Sequence, residues 1–187
     1  VESCGMRFLA TPDDYQSLRF LIDVLGVDSI KVGSGEVTHQ RFLEQVAAEG
    51  LPVILSTGMS NIAEITSAID WLGRPGRSQL NLLHCTSSYP TGLKEANVRA
   101  IETMQREFQY PIGFSDHTEG FISALLAYGM GSRIFEKHLT LSRDLAGPDH
   151  QASADPADFR RYVVALRDAE TAIGSGHKVP TPTELIN

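Results

Sequence analysis

Cysteine is scarce in this sequence, which has only two in 187 residues, Cys4 and Cys85. The two are far apart in the chain and form no CxxC pair, so the sequence excludes a zinc site built on such pairs. Disulfides are rare in reducing compartments, and two isolated thiols fit that setting. We therefore expect two buried, free cysteines and a cytoplasmic location.

Long apolar runs and an excess of positive charge are also missing. No stretch approaches the length needed to cross a bilayer, and no positively charged leader precedes a hydrophobic segment, so we expect no membrane association. Lys and Arg number 16 against 23 Asp and Glu, which gives a net charge of −7. Because nucleic-acid binding needs clustered cations, we expect no nucleic acid partner. A small anionic substrate is still compatible, since a few local cations suffice to bind one.

Two motifs of common α/β enzymes are absent as well. The chain has no GxGxxG, the phosphate loop that follows the first strand of many doubly wound sheets. It also has no GxSxG, which marks the nucleophile of α/β-hydrolases. Hydrophobic residues make up 42% of the chain and charged residues 21%, as in an ordinary globular domain. The fold and the chemistry must therefore be read from the order of the elements.

The chain does contain a regular alternation of short apolar strands and amphipathic helices. The sequence predicts strands at 6–10, 29–32, 52–55, 80–84, 111–114 and 133–136, and helices at 15–25, 40–49, 62–72, 95–108, 120–128 and 156–173. The strands are continuously apolar, as expected when both faces of a sheet are buried, and helices are the usual crossovers between parallel strands. This pattern predicts a parallel α/β fold with about six βα units.

Polar residues follow directly after the predicted strands. They are Thr11; Ser34 and Glu36; Ser56 and Thr57; Thr86, Ser87 and Ser88; Ser115, Asp116 and His117; Lys137 and His138. A closed barrel gathers the carboxyl ends of all its strands around one mouth, whereas an open sheet spreads them along an edge. We therefore favour a (β/α)8 TIM-type barrel. Such a barrel needs eight strands, so we expect residues 1–173 to be a partial catalytic barrel that lacks about two N-terminal units.

His117 and His138 each follow a strand and lie about one βα unit apart. Neighbouring strands are about 4.8 Å apart, so imidazoles at adjacent strand ends can bind one metal ion. Two His ligands leave positions open for water and substrate oxygens, which suits a Lewis-acidic catalytic ion. The alternative is that each histidine only forms hydrogen bonds within the mouth. Lys137, next to His138, is expected to face the helices, because neighbours on a strand point to opposite sides.

Lys31 lies within an apolar strand, where a buried ammonium group needs a partner. One possibility is a small phosphate or carboxylate pocket, formed with the hydroxyls of Thr11, Ser34, Ser56 and Ser115. The other is a salt bridge to a buried carboxylate, Glu36 or Glu136. Cys85 follows His84 directly, so the two side chains should point apart and form no Cys–His dyad. We expect Cys85 to be a packed core thiol.

Six sequence blocks occur in order along the chain. They are KVGSGE (31–36), LSTGM (55–59), LHCTSSYPT (83–91), FSDHT (114–118), EKH (136–138) and GPDH (147–150). Together they resemble the signature of the sialic acid synthase family, which includes N-acetylneuraminate synthases, legionaminate synthases and spore-coat polysaccharide enzymes. The resemblance covers residues 5–173.

The resemblance implies a (β/α)8 barrel that condenses phosphoenolpyruvate with an N-acylmannosamine-type sugar and releases phosphate, using Mn²⁺ or Mg²⁺. It makes His117 and His138 metal ligands and, with Lys31, Glu36 and Asp149, catalytic residues. The positions matching phosphoenolpyruvate contacts are Thr11, Lys31, Ser34, Ser56 and Ser115, and those around the sugar and the reacting centre are Glu36, Tyr89 and Asp149. Ser87, also placed at the substrate, departs from the Asn of some members.

The resemblance also implies parts of the family that lie outside these 187 residues. We expect the first two barrel strands to be among them, and residues 174–187, rich in Gly, Pro and Thr, resemble the linker to a C-terminal antifreeze-like domain. In the family that domain reaches into the site of a partner subunit, which implies a homodimer of the full-length enzyme.

Two alternatives stay open: an inactive ligand-binding fragment, or another phosphoenolpyruvate-dependent 3-deoxy sugar acid synthase. The second would need an additional phosphate pocket with Arg residues, which the predicted mouth does not contain. A metal hydrolase barrel is a further rival, whose usual HxH pair would lie in the absent first strand.

Overall fold

A computed structural model describes residues 2–186 and contains five strands and six α-helices. The strands are β1 (Ile30–Val32), β2 (Val53–Ser56), β3 (Leu80–Cys85), β4 (Ile112–Asp116) and β5 (Phe135–Lys137). The helices are α1 (Tyr15–Asp23), α2 (Gln40–Ala48), α3 (Ile62–Trp71), α4 (Ala100–Glu107), α5 (Ile122–Gly129) and α6 (Pro156–Ile173). Each strand is followed by a helix, as the alternation of the sequence predicts.

All strands are parallel and stand in the order β1-β2-β3-β4-β5. Each strand therefore pairs with the next one along the chain, as in a barrel, whereas a doubly wound sheet reverses direction at a switch point. Within residues 2–186 the sheet does not close, because β1 and β5 each pair on one side only. The fold is thus a parallel half-barrel, which confirms the α/β class and the barrel-like strand order.

The predicted strand at 6–10 is wrong for the described residues, since this segment has no strand structure. It makes one backbone hydrogen bond to β1, from the Lys31 amide to the Ala10 carbonyl at 3.4 Å. Its apolar side chains stay exposed, and Met6 is 57% accessible. Apolar character favours burial, but a strand also needs a ladder of hydrogen bonds along its length. Beside the short strand β1 that ladder does not form.

The core lies between the sheet and the helix layer. Helices begin where the sequence supplies caps: Asp14 and Asn61 accept backbone hydrogen bonds at the starts of α1 and α3. Helix α2 buries Phe42 and Leu43 on one face, and both belong to the central hydrophobic cluster. The apolar stripes therefore place the helices close to their predicted bounds. The exception is the helix expected at 95–108, which begins only at Ala100 because turns occupy the preceding residues.

The two cysteines differ in environment. Both thiols are free, and Cys85 is buried, whereas Cys4 is exposed. The expectation of two buried cysteines is therefore wrong for Cys4, which lies in a short 3-10 turn outside the core. Among the described residues, no helix combines the length and the apolar character that a bilayer crossing requires.

Candidate active site

A cavity of about 580 Å³ opens at the carboxyl ends of the strands. Eight of the predicted site residues line it: Lys31, Ser34, Ser56, Ser87, Tyr89, Ser115, His117 and His138. They come from loops and strand ends that the half-barrel brings to one side of the sheet. The strand-end pattern of the sequence therefore identified most of one continuous cavity.

His117 is held by the loop that follows β3. Its Nδ1 lies 2.7 Å from the carbonyl oxygen of Thr86, and its own carbonyl accepts a hydrogen bond of 2.8 Å from the Thr91 amide. Because a carbonyl can only accept, Nδ1 carries the proton and Nε2 keeps its lone pair. The nearest protein contact of Nε2 is the Ser115 hydroxyl at 3.5 Å. Nε2 of His117 therefore lies on the side of the sheet that faces the cavity.

His138 follows β5, and its backbone carbonyl accepts a 2.9 Å hydrogen bond from the Ala154 amide. The His138 and His117 ring centroids are 5.3 Å apart, with the rings edge to face. The Tyr89 ring contacts both, at 4.3 Å from His117 and 5.4 Å from His138. The pair predicted from strand spacing is therefore brought together in one aromatic cluster.

The two histidines differ in proton affinity. Burial, followed by the nearby charge of His117, lowers the pKa of His138. For His117 burial also acts downward, but hydrogen bonds to Cys85 and Thr86 and the negative charges of Cys85 and Glu136 outweigh it, so its pKa is raised. If both imidazoles held one metal, protonation would oppose its binding at His117 up to a higher pH than at His138.

The donor chemistry of the histidine pair fits a divalent metal. A lone pair is available on Nε2 of His117, and His138 makes no side-chain hydrogen bond in the part of the chain that the structure describes. Across residues 2–186, no group of three or more His, Cys, Asp or Glu side chains is arranged to hold a metal. Two protein ligands leave most coordination positions open, as catalytic ions require.

Lys31 pairs with Glu136, which was one of the two alternatives left open by the sequence. Their Nζ and Oε1 atoms are 3.4 Å apart, and Nζ also donates to the Val32 carbonyl at 3.2 Å. The other carboxylate oxygen accepts a hydrogen bond of 3.3 Å from Ser56. Lys31 is 7% exposed and Glu136 is 41% exposed, so the cluster faces the cavity through the carboxylate. The phosphate pocket around Lys31 stays a prediction.

Three predicted site residues lie outside the cavity lining. Thr11 is exposed beside Gly33, and Asp149 is exposed in the loop between β5 and α6. Glu36 bonds to the Nδ1 atom of His39 at 2.7 Å. Asp149 is nevertheless close enough for its charge to act on the pKa values of Tyr89 and His138.

Sequence reasoning missed Cys85 as a cavity residue. Cys85 is buried and forms no dyad with His84, as predicted, but its Sγ lies 3.9 Å from His117 Nδ1 and 3.7 Å from Ser34 Oγ, in contacts that were not foreseen. Burial acts to raise the pKa of Cys85, but the hydrogen bond and charge of His117 outweigh it and lower the pKa. Strand alternation was the available signal: His84 bonds to the Ala96 carbonyl on the helix side, which turns Cys85 toward the mouth.

Glu136 was foreseen only as a possible partner of Lys31, and the same alternation places it on the cavity side. Lys137, one residue further, points to the helix layer as expected. Its ammonium group lies 3.5 Å from Asp116 Oδ2 and 5.3 Å from the ring centroid of Tyr162 in α6.

Comparison with known proteins identifies the family. The chain is 46% identical over 187 residues to the N,N'-diacetyllegionaminic acid synthase of Legionella pneumophila, covering 98% of this chain and 52% of that protein. It is 33% identical over 185 residues to the human N-acetylneuraminate-9-phosphate synthase, covering 98% of this chain and 51% of that one. The crystal structure of the N-acetylneuraminic acid synthetase from Leptospira borgpetersenii superposes with a TM-score of 0.89 at 36% identity, over 99% of this chain and 64% of that one. The chain thus spans about half the length of the curated relatives it matches. The NeuB family model matches residues 1–178, and the chain belongs to the NeuB family, the sialic acid synthase family that its motifs indicated.

Proposed function

We propose that the protein containing this chain condenses phosphoenolpyruvate with an N-acylmannosamine-type sugar to form a nonulosonic acid, with release of phosphate. Membership of the NeuB family supports this, because relatives carry the names of sialic and legionaminic acid synthases. The observation that carries the proposal is one cavity in which the His117–His138 pair lies beside Lys31, Ser56 and Ser115. A cation with hydroxyls suits an anionic substrate, and the imidazole pair suits a metal.

The anionic end of phosphoenolpyruvate is assigned to Lys31 and the surrounding hydroxyls. Lys31 is buried and already carries one carboxylate partner, Glu136, which keeps its ammonium group in place. Ser56 and Ser115 are buried residues of the cavity lining, and each hydroxyl can donate one hydrogen bond to a phosphate or carboxylate oxygen, which Ser56 would do in exchange for its contact with Glu136. These fixed donors stabilise charge that develops on the phosphate as it leaves.

His117 and His138 would hold the divalent ion, Mn²⁺ or Mg²⁺, which when bound supplies a Lewis acid for a carbonyl oxygen. In the reaction, C3 of phosphoenolpyruvate attacks the aldehyde carbon of the open-chain sugar, so that a carbon–carbon bond forms while the carbonyl π bond breaks and its oxygen takes up a proton. Water adds at C2 and gives up a proton, and phosphate departs by cleavage of the C–O bond, which leaves a ketone at C2. The Thr86 carbonyl keeps the His117 tautomer that directs a lone pair into the cavity during these steps.

Contacts to the sugar are proposed for residues at the rim of the cavity. Tyr89 and Ser87 line it, and Glu36 and Asp149 lie outside the lining with carboxylates that can bind sugar hydroxyls. For the whole protein we further propose a cytoplasmic homodimer, in which an antifreeze-like domain of the partner subunit completes each site.

One observation disfavours a 3-deoxy sugar acid synthase that takes a phosphorylated aldose. A second phosphate group would call for a second cationic pocket, with arginine as its usual bidentate ligand. Within residues 2–186, the cavity lining includes the side chain of Lys31 but no arginine, and the ammonium group of Lys137 lies on the helix side. The described part of the cavity therefore does not supply such a second pocket.

The test is phosphate release by the intact protein supplied with Mn²⁺, phosphoenolpyruvate and N-acetylmannosamine or its 2,4-diacetamido analogue. We expect product of the combined carbon skeleton by mass spectrometry, and loss of activity without loss of fold in His117→Ala and His138→Ala. Both variants should also bind Mn²⁺ more weakly by calorimetry, whereas His177→Ala, in the exposed tail, should match the parent protein. Turnover with arabinose 5-phosphate or erythrose 4-phosphate instead would favour the rival synthase.

A further inference from the structure

A buried ion pair lies directly behind the two histidines. Along β4 and β5 successive side chains alternate, so Ser115 and Glu136 face the cavity while Asp116 and Lys137 face the helices. Asp116 is fully buried, and the Lys137 side chain is only 5% exposed. The two residues are directly paired in the parallel register of β4 and β5, with Oδ2 and Nζ 3.5 Å apart. The ion pair thus joins the two strands one residue before each histidine.

The same two side chains shape the backbone that carries His117. Asp116 Oδ1 accepts hydrogen bonds from the Thr118 amide at 2.8 Å and from its hydroxyl at 2.7 Å, which closes a turn around His117. Lys137 donates a hydrogen bond to the Thr118 carbonyl across the strands. The residue before His138 is therefore tied to the residues on both sides of His117.

Stability alone is a weak reason for this arrangement. A buried ion pair loses the hydration of two charges, and an apolar pair of similar volume is often as stabilising or more so. Asp116 Oδ2 even lacks a hydrogen-bond partner among the described residues, and its nearest cation is Lys137 at 3.5 Å. What the ion pair adds over an apolar pair is a directional link between two named positions.

That link acts at an edge of the described sheet. Strand β5 has three residues and pairs only with β4 in the described chain, so few ladder hydrogen bonds hold its end. His138 follows immediately after that end. Small changes in the angle or register of β5 would alter the distance between the two imidazoles, on which binding of one ion by both depends.

We infer that Asp116 and Lys137 are positioning residues that fix the relative placement of His117 and His138. They contact neither substrate nor metal, and they act through the backbone of β4, β5 and the turn at Thr118. The inference rests on the proposed function in one respect, since it takes the two histidines to bind a metal together. The Asp116–Lys137 pair would support the two histidines from behind, and altering such supporting residues typically changes metal affinity about 10–100-fold.

The test uses the double variant Asp116→Asn/Lys137→Met in the intact protein, with Mn²⁺ alone as the probe. Because no charge is left unpaired and asparagine keeps the Oδ1 acceptor for Thr118, the variant should unfold near the temperature of the parent protein. We expect Mn²⁺ affinity to fall at least about tenfold by calorimetry. We also expect electron spin-echo spectra to show coupling to one histidine nitrogen in place of two. The matched control is Arg19→Met/Glu49→Leu, which removes a 2.7 Å ion pair between α1 and the end of α2 and should leave both metal readouts unchanged.

A stable double variant with parental Mn²⁺ affinity and two nitrogen couplings would overturn the inference. If the double variant does not fold, Asp116→Asn decides, since it keeps the Oδ1 acceptor for Thr118 and removes only the charge. That variant should bind Mn²⁺ several-fold more weakly, and unchanged affinity would again overturn the inference. Failure of the metal site itself has a different signature: His117→Ala and His138→Ala would then bind Mn²⁺ as the parent protein does.

Discussion

Two side-chain contacts set the electrostatics of the cavity, Cys85 against His117 and Glu136 against Lys31. Each joins an acidic group to a basic one on the cavity side of the sheet. The first raises the pKa of the imidazole and lowers that of the thiol, while the second holds the ammonium group beside a half-exposed carboxylate. Each contact predicts the effect of a single substitution.

Replacement of Cys85 by alanine should let metal binding persist to lower pH. The pKa of His117 lies above its ordinary value of 6.5 because, against the effect of burial, the hydrogen bond and charge of Cys85 raise it. A protonated imidazole cannot bind a metal, so affinity is lost as pH falls through this pKa. Without the thiol the pKa drops, and the loss of affinity moves to lower pH. Mn²⁺ titrations between about pH 5 and pH 8 test this.

Cys4→Ala, which removes the exposed thiol, is the control and should keep the parental pH profile. If Cys85→Ala also keeps that profile, the thiol does not govern protonation of His117.

Lys31→Met should weaken phosphoenolpyruvate binding by about 1.5–3 kcal/mol, the value of a charge-assisted hydrogen bond. Methionine keeps the length and the apolar stem of the side chain, so the strand should stay intact. Glu136→Gln should bind phosphoenolpyruvate at least as tightly, because it removes a negative charge 3.4 Å from the ammonium group. Calorimetry with phosphoenolpyruvate measures both effects, and Lys94→Met, on an exposed loop, is the matched control. Equal affinity in Lys31→Met and the parent protein would place the phosphate pocket elsewhere.

At the scale of elements, the spacing of apolar residues and the position of polar residues after strands predicted the helices and the cavity better than the type of any single residue did. The helix at 156–173 was predicted at its observed bounds, because Asp155 caps it and Gly174 ends it. The polar residues that follow the predicted strands include most of the predicted residues that line the cavity, because parallel strands bring their carboxyl ends to one side. This pattern did not include Cys85, because Cys85 is the last residue of β3 and only the alternation of side chains along that strand places it at the cavity. Glu36 lies outside the cavity lining, with its carboxylate 2.7 Å from His39 Nδ1, and its role at the substrate stays a prediction.

Gly113 in β4 should tolerate no side chain. A Cβ atom there would lie 2.5 Å from Leu83 Cδ2 and 2.7 Å from the Ile134 carbonyl oxygen. The backbone of β4 can therefore lie this close to its neighbours only where residue 113 has no side chain. Gly113→Ala should lower the free energy of unfolding by about 1–3 kcal/mol, as overpacking of a core does. Gly129→Ala, at the end of α5 with no atom within 4 Å of the new Cβ, is the control and should be neutral or slightly stabilising. Urea unfolding measures both, and equal stability of the two variants would contradict the close approach.

At the scale of the whole molecule, the sequence specified the parallel order but not the number of strands. Each βα unit carries its own apolar pattern, so local period predicts how strands follow one another. Whether an apolar segment becomes a strand depends on its neighbours in space. Residues 6–10 illustrate this, since they are apolar enough for a strand yet form one hydrogen bond with β1. The closeness of His117 and His138, by contrast, could be predicted from local order, because the two residues follow neighbouring strands.

Residues 1–187 expressed alone should bind Mn²⁺ weakly and release no phosphate from phosphoenolpyruvate above background. Both histidines and Lys31 are present, so partial binding is expected. The five-stranded sheet leaves β1 and β5 as edges, however, and edges with unpaired backbone groups associate with other chains. The cavity is also open where the sheet does not close, so bound phosphoenolpyruvate would be only partly enclosed. Light scattering after size exclusion should reveal self-association, and an assay of the monodisperse fraction with Mn²⁺ and N-acetylmannosamine should stay at background while the intact protein turns over. Turnover close to that of the intact protein would mean that the half-barrel carries a complete site.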